Sequence, residues 1–333
     1  MEGRRIRVGI AGATGYAGQE LVRLLVRHPG VRLTAAMGSS SASPERSLPA
    51  LAHLWDGVVV PLDLEVLARE AEVVFLALPE DASADIAPTL LERGCRVFDL
   101  SGAYRLRDDA HRARWYPKVT SMPEGSAYGL TEHCRSSLPS ARLVACPGCY
   151  PTPALLALGP LVRGGLLADG DLVVDAKSGV SGAGKKPTDR THFSECHGSV
   201  SAYGLFAHRH GAEIEQELGR PVTFVPHLVP LDRGILETIY ARLAPGTPPD
   251  AVDAAYRQAY ASSPFVRVTG ESLPVVKQVA WTNFCDIGWR VDGSTGRLVI
   301  VACIDNLLKG AAGQAVQNFN LACGFDERTG LWQ

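Results

Sequence analysis

The chain has 333 residues, which at about 150 residues per domain predicts two domains. Apolar residues make up 46 % and charged residues 20 %, enough for a full hydrophobic core, which excludes wholesale disorder. Lys and Arg number 33 against 35 Asp and Glu, a net charge of −2 with no block of like charge, so neither a nucleic-acid tail nor a polybasic membrane patch is expected.

Residues 5–10 form a buried-strand pattern, followed by a glycine loop and a helix with Ala17, Leu21, Leu24 and Leu25 on one face, stopped at His28-Pro29-Gly30. The glycines in the apolar part and the charged helix behind it argue against a secretion signal. Further strands are predicted at 31–37, 72–78 and 96–100, with a helix over 81–93 closed by Gly94, and 143–146 adds another strand. Repeated β-α-β units with near-continuous apolar strands predict an α/β fold, a Rossmann-type doubly wound parallel sheet. Residues 144–162 carry no charge, but Pro147, Pro151, Pro153 and Pro160 exclude a membrane-spanning helix there. Beyond residue 165 the pattern changes. Strands at 172–176, 222–225, 235–243, 275–280 and 298–304, with helices at 212–218 and 251–261, predict an α+β second domain with a mixed or antiparallel sheet. Residues 309–321 are amphipathic again.

Gly9-Ile10-Ala11-Gly12-Ala13-Thr14-Gly15-Tyr16-Ala17-Gly18, between a strand and a helix, is the context a dinucleotide pyrophosphate needs. Gly12 and Gly15 fit the second and third glycines of the usual fingerprint. Position 10 is isoleucine, and Gly9 shifts the spacing to G-x-x-G-x-x-G. The second strand ends in Met37-Gly38-Ser39-Ser40-Ser41, with no carboxylate before Glu45 to hold the ribose hydroxyls of NAD. Hydroxyls without an acid suit the 2′-phosphate of NADP. Cys146-Pro147-Gly148-Cys149-Tyr150-Pro151-Thr152 lies between a strand and a helix, where a thiol gains thiolate character from the helix N-terminus. No second C-x-x-C completes a zinc site. The eight cysteines include several in apolar strand-like runs, and a reducing cytoplasm is the expected location.

These segments, together with 177–184 (KSGVSGAG), His208-Arg209-His210 with Glu213-Ile214, Arg233-Gly234, Asp305-Asn306-Leu307 and Gly313-Gln314, resemble the N-acetyl-γ-glutamyl-phosphate reductases of arginine biosynthesis. The likeness runs in order from about residue 5 to residue 325. It departs at Cys146, where that family more often has asparagine, and at Thr131, where proline is common. The resemblance implies a relative of the glyceraldehyde-phosphate and aspartate-semialdehyde dehydrogenases. An NADP-binding domain would span 1–150, completed by a C-terminal helix in 306–333. A substrate and oligomerisation domain would span 151–305.

It further implies Cys149 as nucleophile on an acyl phosphate, forming a thioester that NADPH reduces to the semialdehyde. His208 and His210 are the proton carriers near neutral pH. We favour His208 as acid/base with His210 as a substrate or orienting contact, the reverse order being open. Gly12, Ala13, Thr14, Gly15, Tyr16, Ser39 and Ser40, with Ser178, Gly179 and Asn306, are the expected cofactor contacts. Arg105, Ser181, Glu195 and Arg233 are the expected substrate contacts, the arginines because a guanidinium binds carboxylate or phosphate bidentately.

Three rival readings stand beside this one: the same chemistry on a carrier-protein-bound aminoadipyl or glutamyl phosphate, a non-catalytic NADP-binding regulator, and a zinc site from His192, Cys196, His197, His208 and His210. The favoured reading expects no metal, no nucleic acid and no membrane, and a homo-oligomer.

Overall fold

The computed structural model describes residues 4–170 and 172–332. The chain divides into two compact units, Met1–Gly148 with Ala311–Gln333, and Cys149–Gly310. The first holds strands β1 (Ile6–Ala11), β2 (Val31–Met37), β3 (Val73–Leu76), β4 (Arg96–Asp99), β5 (Ser126–Tyr128) and β6 (Leu143–Ala145). They form one sheet in the order β2-β1-β3-β4-β6-β5, every pair parallel. All four residues of β3 are buried, as a strand covered on both faces requires.

The C-terminal helix Gly313–Ala322 packs into this unit, with the Phe319 ring centroid 5.8 Å from Phe75 and 6.0 Å from Phe98. Its buried amides are held by a polar network. Asn318 donates to the Gly129 carbonyl and accepts from Thr131 Oγ1. Gln314 reaches the same two groups, and Asn320 meets His28 and the carbonyls of Glu327 and Thr329. Amides buried this deeply are tolerable only when bonded.

The second unit holds β7 (Val173–Gly179), β8 (Ser201–Ala202), β9 (Thr223–Val229), β10 (Ile235–Arg242), β11 (Val266–Gly270), β12 (Cys285–Asp292) and β13 (Arg297–Ile304). They form a mixed sheet in the order β11-β12-β13-β10-β7-β9-β8, with β7–β9 and β11–β12 parallel. Helix Pro151–Arg163 lies on this sheet and is covered in turn by helices Arg209–Leu218 and Asp250–Tyr260. That placement explains its uncharged sequence: residues 151–161 are buried all round. Tyr256 and Tyr260 hydroxyls donate to its carbonyls at Ala157 and Leu156.

One expectation fails in this unit. Residues 275–280 were expected as a strand, but Val276–Val279 is a helical turn. Val276 and Val279, three apart, fall on one helix face, where both pack on Val301 and Cys303. The neighbouring strands are β11 and β12, which went unseen because Asp286, Arg290 and Asp292 interrupt the apolar pattern of β12. In the first unit, helices Leu64–Glu70 and Asp109–Trp115 were likewise not anticipated.

Glu237 is fully buried in β10, opposite Ala176 of β7 and Ala302 of β13, and neither carboxyl oxygen has a hydrogen-bond partner among the described residues. Burial raises its pKa well above the ordinary 4.5, with Lys177 acting weakly the other way. The folded chain therefore keeps a proton that the unfolded chain loses near 4.5. Stability is full below that pH and falls as pH rises through the folded-state value. Urea melts between pH 4.5 and 9 should show this decline in the wild type, and Glu237→Gln should flatten it.

Candidate active site

In the first unit, β1 runs into a loop that only glycines can make. Gly12 has φ +88°, and a Cβ there would lie 2.1 Å from the Ala77 carbonyl oxygen. A Cβ at Gly18 would lie 2.1 Å from the Gly12 oxygen. Gly15 caps helix Tyr16–Leu25 with no side-chain hydrogen bond and no acid in the first turn, which suits an anion at the helix N-terminus. Ala13 is buried, and the Thr14 carbonyl accepts from Gln19 Nε2 at 2.9 Å. Gly9 belongs to packing rather than to the phosphate loop: a Cβ there would collide with Leu67 at 2.5 Å. Ser39 and Ser40 follow β2, both exposed, with Ser40 Oγ 3.3 Å from Ser43 Oγ. A glycine cradle at a helix start, with hydroxyls and no acid after β2, fits a dinucleotide carrying a 2′-phosphate.

At the end of β4, Asp99 accepts from Ser101 N–H and Oγ, and burial pushes its carboxyl up. Arg105 is buried, donating from Nε to the Cys146 carbonyl and from Nη2 to that of Leu100, both at 2.7 Å. Here it braces the turns after β4 and β6. Burial first, then the Asp99 charge, pushes the Cys146 thiol up to about 12, so this cysteine stays protonated.

In the second unit, Cys149 is half-buried just before Tyr150, the N-cap of helix Pro151–Arg163. Gly310 packs on it so closely that a Cβ there would come within 2.9 Å of the Cys149 Cβ. The Tyr150 hydroxyl lies 3.1 Å from that of Tyr203 and donates to the His227 carbonyl at 3.0 Å. Burial pushes both phenols up, with the Cys149 charge a smaller contribution to each.

His208 and His210 are brought together, ring centroids 4.8 Å apart, with the Tyr150 ring 5.9 and 5.8 Å away and Phe224 5.3 Å from Tyr150. His208 caps helix Arg209–Leu218: its Nδ1 accepts the His210 backbone N–H at 3.1 Å, so the neutral ring carries its proton on Nε2. Burial, and secondly the Arg209 charge, pull its pKa down to about 4.

Ser178 and Gly179 end β7, and the turn after them carries Ser181. Asn306 spans this turn and the next loop, accepting from Gly234 N–H at 2.6 Å and donating to Ser181 Oγ at 3.0 Å. Arg233 is buried beside Asp305, Nη1 to Oδ2 3.1 Å. Glu195 stands on the exposed turn Phe193–Cys196 and lines a cavity of about 800 Å³ with Asp189, Arg190, His192 and Ser201. Arg190 lies over the Tyr203 ring at 4.9 Å, joining that cavity to the tyrosine pair. Tyr203, Phe224, Arg190 and Gly310 escaped the sequence reading because each is remote in sequence from Cys149 and lies in no motif of its own. Among the described residues no group of three or more His, Cys, Asp or Glu is placed to hold a metal ion. Nor is any helix there long and apolar enough to cross a membrane.

A Rossmann-type unit joined to a mixed-sheet unit that opens on a cysteine is the plan of the semialdehyde dehydrogenases. The family model "Semialdehyde dehydrogenase, NAD binding domain" matches residues 7–141, and "Semialdehyde dehydrogenase, dimerisation domain" matches residues 149–306. Among solved structures the fold is similar to aspartate semialdehyde dehydrogenase II from Vibrio cholerae (TM-score 0.72, 17 % identity, 96 % of this chain and 99 % of that one). It is also similar to the Candida albicans enzyme solved with NADP (TM-score 0.68, 18 % identity, covering 95 % and 98 %). In sequence it is 46 % identical to the N-acetyl-gamma-glutamyl-phosphate reductases of Syntrophobacter fumaroxidans, over 98 % of this chain and 99 % of that protein, and of Shouchella clausii, over 98 % of each. The chain belongs to the N-acetyl-gamma-glutamyl-phosphate reductase family of semialdehyde dehydrogenases.

The Gly310 contact yields a test. Gly310→Ala puts a methyl group against the Cys149 Cβ, and a displacement approaching 1 Å there costs about 100-fold in turnover. Steady-state kcat, with melting to confirm that the variant folds, measures it.

Proposed function

We propose that the chain catalyses the NADPH-dependent reductive dephosphorylation of N-acetyl-glutamyl 5-phosphate to N-acetyl-glutamate 5-semialdehyde, a step of arginine biosynthesis. The observation that carries this reading is the half-buried Cys149 directly before Tyr150, whose hydroxyl meets that of Tyr203 and whose ring the His208–His210 pair packs on. The Cys149 thiolate attacks the acyl carbon, the C–S bond forms, and the bond from that carbon to the bridging oxygen breaks, phosphate leaving with the electron pair. NADPH, when bound, supplies the hydride that takes the resulting thioester to the aldehyde level. As the carbonyl re-forms, the C–S bond breaks and its electron pair returns to the sulfur of Cys149.

Gly12, Ala13, Thr14, Gly15 and Tyr16 would hold the pyrophosphate, and Ser39 and Ser40 the 2′-phosphate. Because Nδ1 of His208 is taken by a backbone N–H, this ring serves as a donor from Nε2 to the oxyanion, and His210 carries the proton. Of the two orders left open by the sequence, the capping bond favours this one. Arg233 contacts the anionic end of the substrate.

The homo-oligomer uses the sheet face turned away from helix Pro151–Arg163. There Thr223, Val225, His227 and Val229 alternate with buried neighbours along β9, and Tyr240 of β10 is 44 % exposed. Free thiols at Cys95, Cys146, Cys196, Cys303 and Cys323 suit a reducing cytoplasm.

Reduction of NADP+ with N-acetyl-glutamate semialdehyde should require phosphate and fall more than about 1000-fold in Cys149→Ala. Activity surviving that change overturns the thioester route, and turnover only with a carrier-bound acyl phosphate overturns the free substrate. His208, at about 4, is neutral from pH 5 to 8, so it does not shape the rate profile in that range. His208→Gln should lower kcat about 100-fold without moving the acid limb of kcat/KM, as loss of an oxyanion donor does. A shifted limb assigns the proton to His208 instead.

A further inference from the structure

We infer that Trp281 is a positioning residue for the substrate-binding arginine: its indole holds the Arg233 guanidinium in the plane in which it meets the anionic end of the substrate. The inference rests on the reading of Arg233 as that contact. Trp281 follows the helical turn Val276–Val279 and sits at φ +67°, the left-handed region that a bulky side chain rarely adopts. The residue is 55 % exposed, so core packing does not hold it there. Two contacts do. The Trp281 backbone N–H donates at 2.7 Å to Asp305 Oδ2, the oxygen that accepts Arg233 Nη1 at 3.1 Å. The Arg233 guanidinium carbon in turn lies over the indole, 3.6 Å from the ring centroid. One carboxylate oxygen thus fixes both the backbone that presents the ring and the head group under it.

The segment leading to Trp281 is pinned as well. Val276 presses on Gly234, where a Cβ would come within 2.1 Å of its Cγ1, and Val279 is fully buried against Val301 and Cys303. A guanidinium carries its donors in one plane, and bidentate recognition of a carboxylate or phosphate depends on how that plane is set. A stacked indole sets it. Strained backbone retained on an exposed aromatic ring is understandable where the ring has such a task.

The consequence is on binding rather than on the chemical step. In the full-length enzyme, Trp281→Gly removes the indole and relieves the left-handed strain, so the fold is kept. KM for N-acetyl-glutamate semialdehyde should rise about tenfold, the scale of a partly desolvated cation–π contact, with kcat within about twofold. Trp281→Phe should recover most of the loss. In an Arg233→Ala background, Trp281→Gly should change KM less than about twofold, since the residue through which it acts is gone. An unchanged KM in Trp281→Gly, beside a raised KM in Arg233→Ala, overturns the positioning role alone. The same holds for an equal effect of Trp281→Gly in both backgrounds. An unchanged KM in Arg233→Ala overturns the reading of Arg233 and the inference with it.

Discussion

Asp305 lies fully buried at the end of β13 and accepts four hydrogen bonds, from Arg233 Nη1, the Trp281 N–H and the backbone N–H groups of Leu307 and Leu308. An ion taken this far from water is tolerated only when its oxygens are so occupied. The four donors come from three stretches of chain that would otherwise drift apart. Asn306 adds a second bracket by joining Gly234 to Ser181. The same carboxylate starts the turn Leu308–Ala312, in which the Gly310 N–H reaches back to the Asp305 carbonyl at 2.9 Å and Gly310 comes to rest on Cys149. Cys149 with its Gly310 contact, Arg233 and the small-residue turn are thereby set by one pair of adjacent polar residues.

The two C-x-x-C cysteines show how environment divides identical side chains. Cys146 is fully buried near the Asp99 charge and stays a thiol. Cys149 stands half-exposed just before helix Pro151–Arg163. A similar division separates the histidines. His208 spends its Nδ1 on the backbone of the helix it caps, which fixes its tautomer and leaves only a donor for chemistry. Burial then keeps it neutral above about pH 5.

The nucleotide unit rests on a different constraint. Its helix Gly313–Ala322 returns after the whole of the second unit has been threaded, and what secures it is an array of buried amides meeting Thr131, Gly129, His28 and the segment around Glu327. An apolar helix would pack in several rotations with similar energy. Amides that must find particular carbonyls and hydroxyls accept one.

Several things were legible in the sequence alone. The parallel sheet could be read because β3 is a short, wholly apolar run, a pattern that two-sided burial explains. The glycine loop could be read because Gly12 and Gly18 have no room for a Cβ. The family resemblance could be read because its motifs keep their order from one end of the chain to the other. These are properties of local pattern, and local pattern is what a sequence carries directly. The tertiary structure alone decided the rest. It turned residues 275–280 from a strand into the helical turn that leads to Trp281, since alternation and helical spacing coincide in so short a run. It gave Gly9 to packing against Leu67 and Arg105 to the carbonyls of Leu100 and Cys146. It brought Tyr203, Phe224, Arg190 and Gly310 around Cys149 and the histidines from strands and loops far along the chain. Those placements depend on which groups find partners once the sheets have formed, and such partners are not written at any fixed spacing in the sequence.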